Sequence, residues 1–177
     1  MLVPCATALR ADSLGELPHQ QKVIIAGNHD WCFERSPVVA RSLLTNGIYL
    51  QDQAVVIAGL TIYGSPWQPW FYDWAFNLPH GPALRAKWAR IPSTTDILVT
   101  HGPPYGYGDT TDQGISAGCA DLLTRIEHVR PKLHICGHIH EGAGVRTNGH
   151  TTFINASVCD ENYQIRHLPQ VYDYAVP

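Results

Sequence analysis

Along this chain, short apolar runs alternate with polar segments rich in glycine, proline and asparagine. Residues 22–26 are apolar and β-branched at their centre, which predicts a buried strand. Ser36 and Pro37 open, and Gly47 closes, a predicted helix whose inner stripe is Val39 and Leu43, four residues apart. Residues 54–57 and 60–63 flank Ala58-Gly59 and predict a β-hairpin. Residues 82–91 read as a helix with Leu84, Trp88 and Ile91 on one face, and residues 96–100 as a buried strand. A longer helix is predicted over 116–129, with Leu122, Leu123, Ile126 and Val129 inward and Pro131 beyond its end. Strands are predicted at 133–136, 151–154 and 171–174. Residues 1–20 are weakly patterned, with the end of a helix over 12–17 closed by Pro18. Strands and helices alternate without a repeat or linker, so the expectation is one α/β domain over residues 1–177.

Three predicted strands run directly into polar clusters: Gly27-Asn28-His29-Asp30, His101-Gly102-Pro103-Pro104 and Gly137-His138-Ile139-His140. Ligands gather at the carboxyl ends of strands in α/β folds, so this repetition marks a site. In an extended segment, residues two apart share a face, so His138 and His140 are expected to present both imidazoles to one spot. Imidazole is the commonest protein metal ligand, although an isolated His-x-His is as easily a turn cap beside a solvated ring. Between the clusters lie five large aromatics among prolines, Trp67, Trp70, Phe71, Tyr72 and Trp74. They predict either a plug over a core edge or a pocket wall where flat rings stack, with Trp67 and Trp70 as pocket candidates.

Composition narrows the classes. The chain of 177 residues is 45% hydrophobic and 15% charged, with a formal net charge of -3. It carries no basic footprint for a nucleic-acid polymer or an anionic membrane. No apolar run approaches the ~20 residues of a membrane span. The N-terminal segment lacks a basic region and a full apolar core, so it is not read as a secretory signal. The five cysteines are widely spaced and unpaired in pattern, which predicts reduced thiols and a cytoplasmic protein. Asn155-Ala156-Ser157 matches a glycosylation sequon and is read as chance. Cys136 is expected in the core. A structural zinc site using it with His138 and His140 lacks the paired ligands such sites show. No Gly-x-Ser-x-Gly elbow supports acyl transfer.

The three polar clusters, in this order and each after a strand, resemble the motifs of the calcineurin-like metallophosphoesterases. The segments 64–71 and 74–77 resemble the branch called metallophosphoesterase-domain-containing proteins. The resemblance implies an α/β/β/α sandwich and a metal-dependent phosphoesterase acting through metal-activated hydroxide. Its substrate would be a small phosphomonoester or phosphodiester such as a nucleotide. By that resemblance Asn28, His101 and His138 bind one metal and His140 a neighbouring one, while His29 faces the substrate and Asp30 orients its ring. The expected cofactor is Mn²⁺, Fe²⁺ or Zn²⁺. Two cations roughly 3.5–4 Å apart would clamp the phosphate oxygens. An imidazole with its ordinary pKa of ~6.5 suits proton donation to the leaving oxygen. Family members also carry Asp-x-His and Gly-Asp motifs upstream of the first cluster, and neither occurs before Gly27 here. The implied form is N-terminally shortened, with one metal site complete in three ligands and the other reduced to His140. An oligomer is compatible with the sheet edge this would expose. The competing expectation is a non-catalytic or weakly catalytic module that binds a nucleotide or metal on the same fold.

Overall fold

The computed structural model describes residues 14–175. Its centre is a mixed six-stranded sheet in the order β3 (Gln53–Ile57), β4 (Leu60–Ser65), β7 (Ile97–Thr100), β8 (Leu133–Cys136), β10 (Thr152–Asn155) and β9 (Gly144–Thr147). The four central strands run parallel, and each edge is an antiparallel hairpin partner. The β3–β4 turn uses Ala58 and Gly59, both at positive φ (50° and 80°), which is the twist a two-residue hairpin requires. Parallel neighbours need crossovers. These are α3 (Pro82–Trp88) between β4 and β7, and α4 (Ala120–Val129) between β7 and β8. Leu122, Ile126 and Val129 of α4 pack with Leu84, Trp88 and Ile91 against Tyr63, Leu98 and Phe153 of the sheet, forming the main core. The α/β class is therefore as the alternation of elements predicts.

A second, smaller core lies where β1 (Val23–Ile24) pairs in parallel with β2 (Ile48–Tyr49). Phe33 of α1 (Trp31–Arg35), Ala40 of α2 (Pro37–Leu43), Tyr49, Ala75 and Phe76 fill it. Gly64 admits this pair to the main sheet: a Cβ there would stand 2.5 Å from that of Leu50 and 2.8 Å from Cγ2 of Ile25. Two further strands, β5 (Gln68–Pro69) and β6 (Asn77–Leu78), pin the ends of the aromatic segment together.

Several expectations are corrected. In α2 the inner stripe is Ala40 and Leu44, and Val39 and Leu43 face outward at 59% and 37% exposure. Both pairs are four apart, so spacing alone could not choose the face. The predicted buried strand over 22–26 shrinks to the two half-buried residues of β1. The helix over 116–129 starts only at Ala120, because Ala117 N–H donates to Asp109 O and Gly118 lies against Pro104, where a Cβ would stand 2.5 Å from its carbonyl oxygen. Residues 171–174 form no strand; a β pattern without a partner strand has nothing to pair with. Cys32 is disulfide-bonded, which overturns an all-reduced set, whereas Cys119, Cys136 and Cys159 are free. Asn155 is buried, with its Nδ2 donating to Gly108 O and Ile139 O, so the sequon is a structural asparagine. The helix end predicted over 12–17 lies partly outside the described residues; residues 14–16 are helical. Among the described residues no helix is long and apolar enough to cross a membrane.

His134 on β8 is fully buried in the sheet. Thr100 Oγ1 donates to Gly102 O at 2.7 Å, so Nε2–H of His134 donates to that hydroxyl at 2.8 Å and the ring is neutral. Burial pushes its pKa down to about 3. The unfolded chain takes up this proton below ~6.5 and the folded chain does not, so stability falls as pH drops from there towards 3. Urea titrations between pH 4 and 6 should show a shallower pH slope for His134→Gln than for the native chain. The expected difference is close to one proton, ~1.4 kcal/mol per pH unit. Identical slopes would show that His134 does not titrate on unfolding.

Candidate metal and phosphate site

Three strands deliver the site from their carboxyl ends. β1 leads into Gly27–Asp30, β7 into His101 and β8 into Gly137–His140. At the first, Asp30 turns the chain on itself: its Oδ2 accepts Gly27 N–H at 2.8 Å while its own N–H donates to Gly27 O. Gly27 lets the loop lie against the second, since a Cβ there would stand 2.6 Å from Nδ1 and Cε1 of His101. Asn28 is buried, and its carbonyl accepts Ala75 N–H, which ties the loop to the aromatic segment. Its side-chain Oδ1 sits 2.9 Å from His101 Nε2.

The third loop departs from the extended geometry expected of it. His138 takes φ +71°, and Ile139 N–H donates to Gly137 O two residues back, a γ-turn in the strained positive-φ form. This turn, not strand alternation, sets the His138 ring 4.7 Å from that of His101, centroid to centroid. Such strain persists where surrounding contacts fix it; here Gly137 N–H donates to His101 O. His140 opens a 3₁₀ turn (His140–Gly142) instead of continuing a strand. Its Nδ1–H donates to Asp160 O at 2.7 Å, because a carbonyl can only accept, and this leaves Nε2 as the lone-pair nitrogen.

The pKa of His101 falls to about 3, first through burial and then through His138, His29 and His140. That of His138 falls to about 4, through burial and then the same kind of neighbours, His140 and His29. Both rings are thus neutral at pH 7, as metal ligands must be. Among the described residues, no group of three or more His, Cys, Asp or Glu side chains is arranged to hold a metal ion. The candidate donor set is mixed: Asn28 Oδ1, His101 and His138, with His140 beside them. The 2.9 Å between Asn28 Oδ1 and His101 Nε2 is close to the ~3 Å that separates adjacent ligands of one octahedral cation with bonds of ~2.1 Å. That spacing would let Asn28 Oδ1 and His101 Nε2 face one cation. Burial pushes the Cys136 thiol up to about 12.

A cleft of about 530 Å³ opens over these side chains. His29 stands exposed at its edge, its ring edge-on to Trp74 at 4.2 Å. Trp70, Phe71 and Trp74 line the cleft, and Phe71 meets His138 edge-on at 5.3 Å. Trp67 is placed elsewhere: its Nε1–H donates to Asp52 at 2.8 Å, its ring packs on Phe76, and Lys87 covers it at 3.8 Å. Of the two pocket candidates, then, only Trp70 lines the cleft; Trp67 is the plug. Phe71 and Trp74 belong to the aromatic segment already singled out, but nothing in sequence pointed to Tyr163, which also lines the cleft.

An α/β fold with polar side chains converging at the carboxyl ends of parallel strands is a ligand-binding or catalytic architecture. The sequence profile of the calcineurin-like phosphoesterase family matches residues 3–142, and the chain belongs to that family. It is similar to metallophosphoesterase domain-containing protein 1 of Homo sapiens, 47% identical over 189 residues, covering 93% of this chain and 58% of that protein. It is also similar to UPF0046 protein T07D4.2 of Caenorhabditis elegans, 40% identical over 193 residues, covering 92% and 49%. The 3',5'-cyclic adenosine monophosphate phosphodiesterase CpdA of Escherichia coli is 28% identical over 149 residues, covering 77% of this chain and 50% of that one. The chain thus spans between 49% and 58% of the length of these relatives. A solved structure, 20% identical, superposes with a TM-score of 0.63 over 85% of this chain and 62% of the other, which shows the fold.

Gly27→Ala should displace the His101 ring without removing any donor atom. Titration with Mn²⁺ is expected to show affinity at least ~10-fold weaker in a chain that stays folded, with a melting temperature lower by a few degrees, roughly what ~1–3 kcal/mol of overpacking costs. Unchanged affinity would mean that the close approach at Gly27 does not set the donor geometry.

Proposed function

We propose that the chain is a metal-dependent phosphoesterase that hydrolyses a small phosphomonoester or phosphodiester. The observation that carries this reading is the meeting of Asn28 Oδ1 with the half-buried, neutral His101 and His138, beside His29 and below an aromatic-walled cleft. Asn28, His101 and His138 would hold one divalent ion, Mn²⁺, Fe²⁺ or Zn²⁺, and His140 would lean on a second. A cation there supplies positive charge that attracts the phosphate and makes nearby water more acidic.

The chain's own residues do the rest. Trp70, Phe71 and Trp74 exclude water from one side and offer flat apolar faces to the alcohol part of the ester. A nucleotide suits that wall, and the relative CpdA is named for a cyclic nucleotide diester. Water adds to phosphorus and gives up one proton to solvent, the ester P–O bond breaks, and His29 would give a proton to the departing oxygen. Asp30 turns the loop and so sets the direction from which His29 approaches.

A second reading is a weakly catalytic module that binds a nucleotide or metal on the same fold. It is favoured by the absence of a carboxylate from the donor set among the described residues, since a neutral set leaves a second ion weakly held.

His138→Ala is expected to lower bound Mn²⁺ sharply. His29→Ala should keep its metal and lose hydrolysis of bis(4-nitrophenyl) phosphate by roughly 10²–10⁴-fold. Full activity in His29→Ala would remove His29 from its role. A metal-loaded chain that binds phosphate esters without cleaving them would favour the second reading.

A further inference from the structure

Residues 158–167 form a tight loop organised by one carboxylate. Asp160 Oδ1 accepts the N–H groups of Asn162 and Gln164, each at 2.9 Å, and Oδ2 accepts Arg166 Nε–H at 2.9 Å. Asp160 N–H donates to Gln164 O, Tyr163 N–H to Asp160 O, and Arg166 N–H to Val158 O. The same Asp160 carbonyl also receives Nδ1–H of His140, so the loop is pinned to the site. What it presents is Tyr163, in a left-handed backbone conformation of φ +60° that a side-chain-bearing residue adopts at a cost.

Tyr163 has little structural purpose of its own. Its side chain is 63% exposed, and its ring meets His29 and His140 edge-on, at 6.0 and 5.8 Å. Its hydroxyl stands 3.5 Å from Nε2 of His29, too long for a strong mutual hydrogen bond. That spacing suits a shared third atom. One oxygen can sit ~2.8 Å from both groups, at the apex of a triangle whose base they form. A phenol O–H can donate to an anionic oxygen.

We propose that Tyr163 is a substrate-contacting residue that, with His29, forms a two-point clamp on one oxygen of the phosphate ester. The clamp rests on the phosphoesterase reading for the nature of that oxygen. It adds a residue from a loop outside all three strand-end clusters, and Asp160 as the positioning residue that holds it.

Phenylphosphonate, which carries phosphoryl oxygens but no ester bond to cleave, tests this by calorimetry on the Mn²⁺-loaded chain. Tyr163→Phe keeps the ring and removes one hydroxyl. It should bind about fivefold to tenfold more weakly, the worth of a single hydrogen bond, with Mn²⁺ content and melting temperature unchanged. Asp160→Ala should weaken binding to a similar degree, and adding Tyr163→Phe to it should cost less than about twofold more, because the hydroxyl is no longer held in place. Binding by Tyr163→Phe within about twofold of the native chain would overturn the clamp, as would a native chain that does not bind the phosphonate. Phosphonate binding that depends on Tyr163, without hydrolysis of either bis(4-nitrophenyl) phosphate or 4-nitrophenyl phosphate, would keep the clamp and remove the phosphoesterase reading. Hydrolysis with binding indifferent to Tyr163 would do the reverse.

Discussion

Desolvation of the imidazoles at the carboxyl ends of β7 and β8 is the constraint around which the site is arranged. A buried ring that cannot ionise keeps a lone pair at neutral pH, and that lone pair is what a cation or a hydrogen-bond donor can use. The burial is achieved by close backbone approach. Gly27 lies flat on the His101 ring, and the Asn28 carbonyl is tied to Ala75, so the first loop cannot lift from the second. Three loops remote in sequence thus share one floor of the cleft. Crowding reinforces the effect, because each imidazole lowers its neighbours' affinity for a proton.

Backbone strain concentrates around the same cleft. His138 and Tyr163, both lining it, take positive φ, and so do Tyr72 and Phe76 on either side of Trp74. None is glycine, and each is held by hydrogen bonds from its surroundings. Asn77 Nδ2 donates to Tyr72 O, Glu34 accepts Phe76 N–H, and Asp160 O accepts Tyr163 N–H. Strain held this firmly keeps side chains aimed at a point that relaxed loops would not reach. The fold behind it supplies the rigidity, through a main core of aliphatic and aromatic side chains that α3 and α4 close over the sheet.

Much of this frame is legible in the residues. The apolar runs at β7, β8 and β10, the hairpin across Ala58-Gly59 and the buried stripe of α4 follow from local pattern, because each is decided by neighbours within a few positions. The clustering of Asn28, His101 and His138 was legible as well, since strand ends in an α/β fold point to one edge. The failures share a cause. Val39 and Leu43 versus Ala40 and Leu44 are equivalent by spacing, and only the neighbouring Phe33 and Tyr49 decide which pair is covered. Trp67 and Trp70 are equivalent by composition, and the Asp52 carboxylate draws one of them inward.

By itself, then, the sequence determined the class of fold, the family motifs and the residue types that meet at the strand ends, because periodicity and chain order carry that information. Tertiary structure decided which way each ring faces. His138 reaches His101 through a strained turn that no two-residue alternation predicts, and Tyr163 comes to His29 across 134 residues by way of a loop built on Asp160. Direction at a site depends on contacts made between distant segments, and such contacts exist only once the chain has closed on itself.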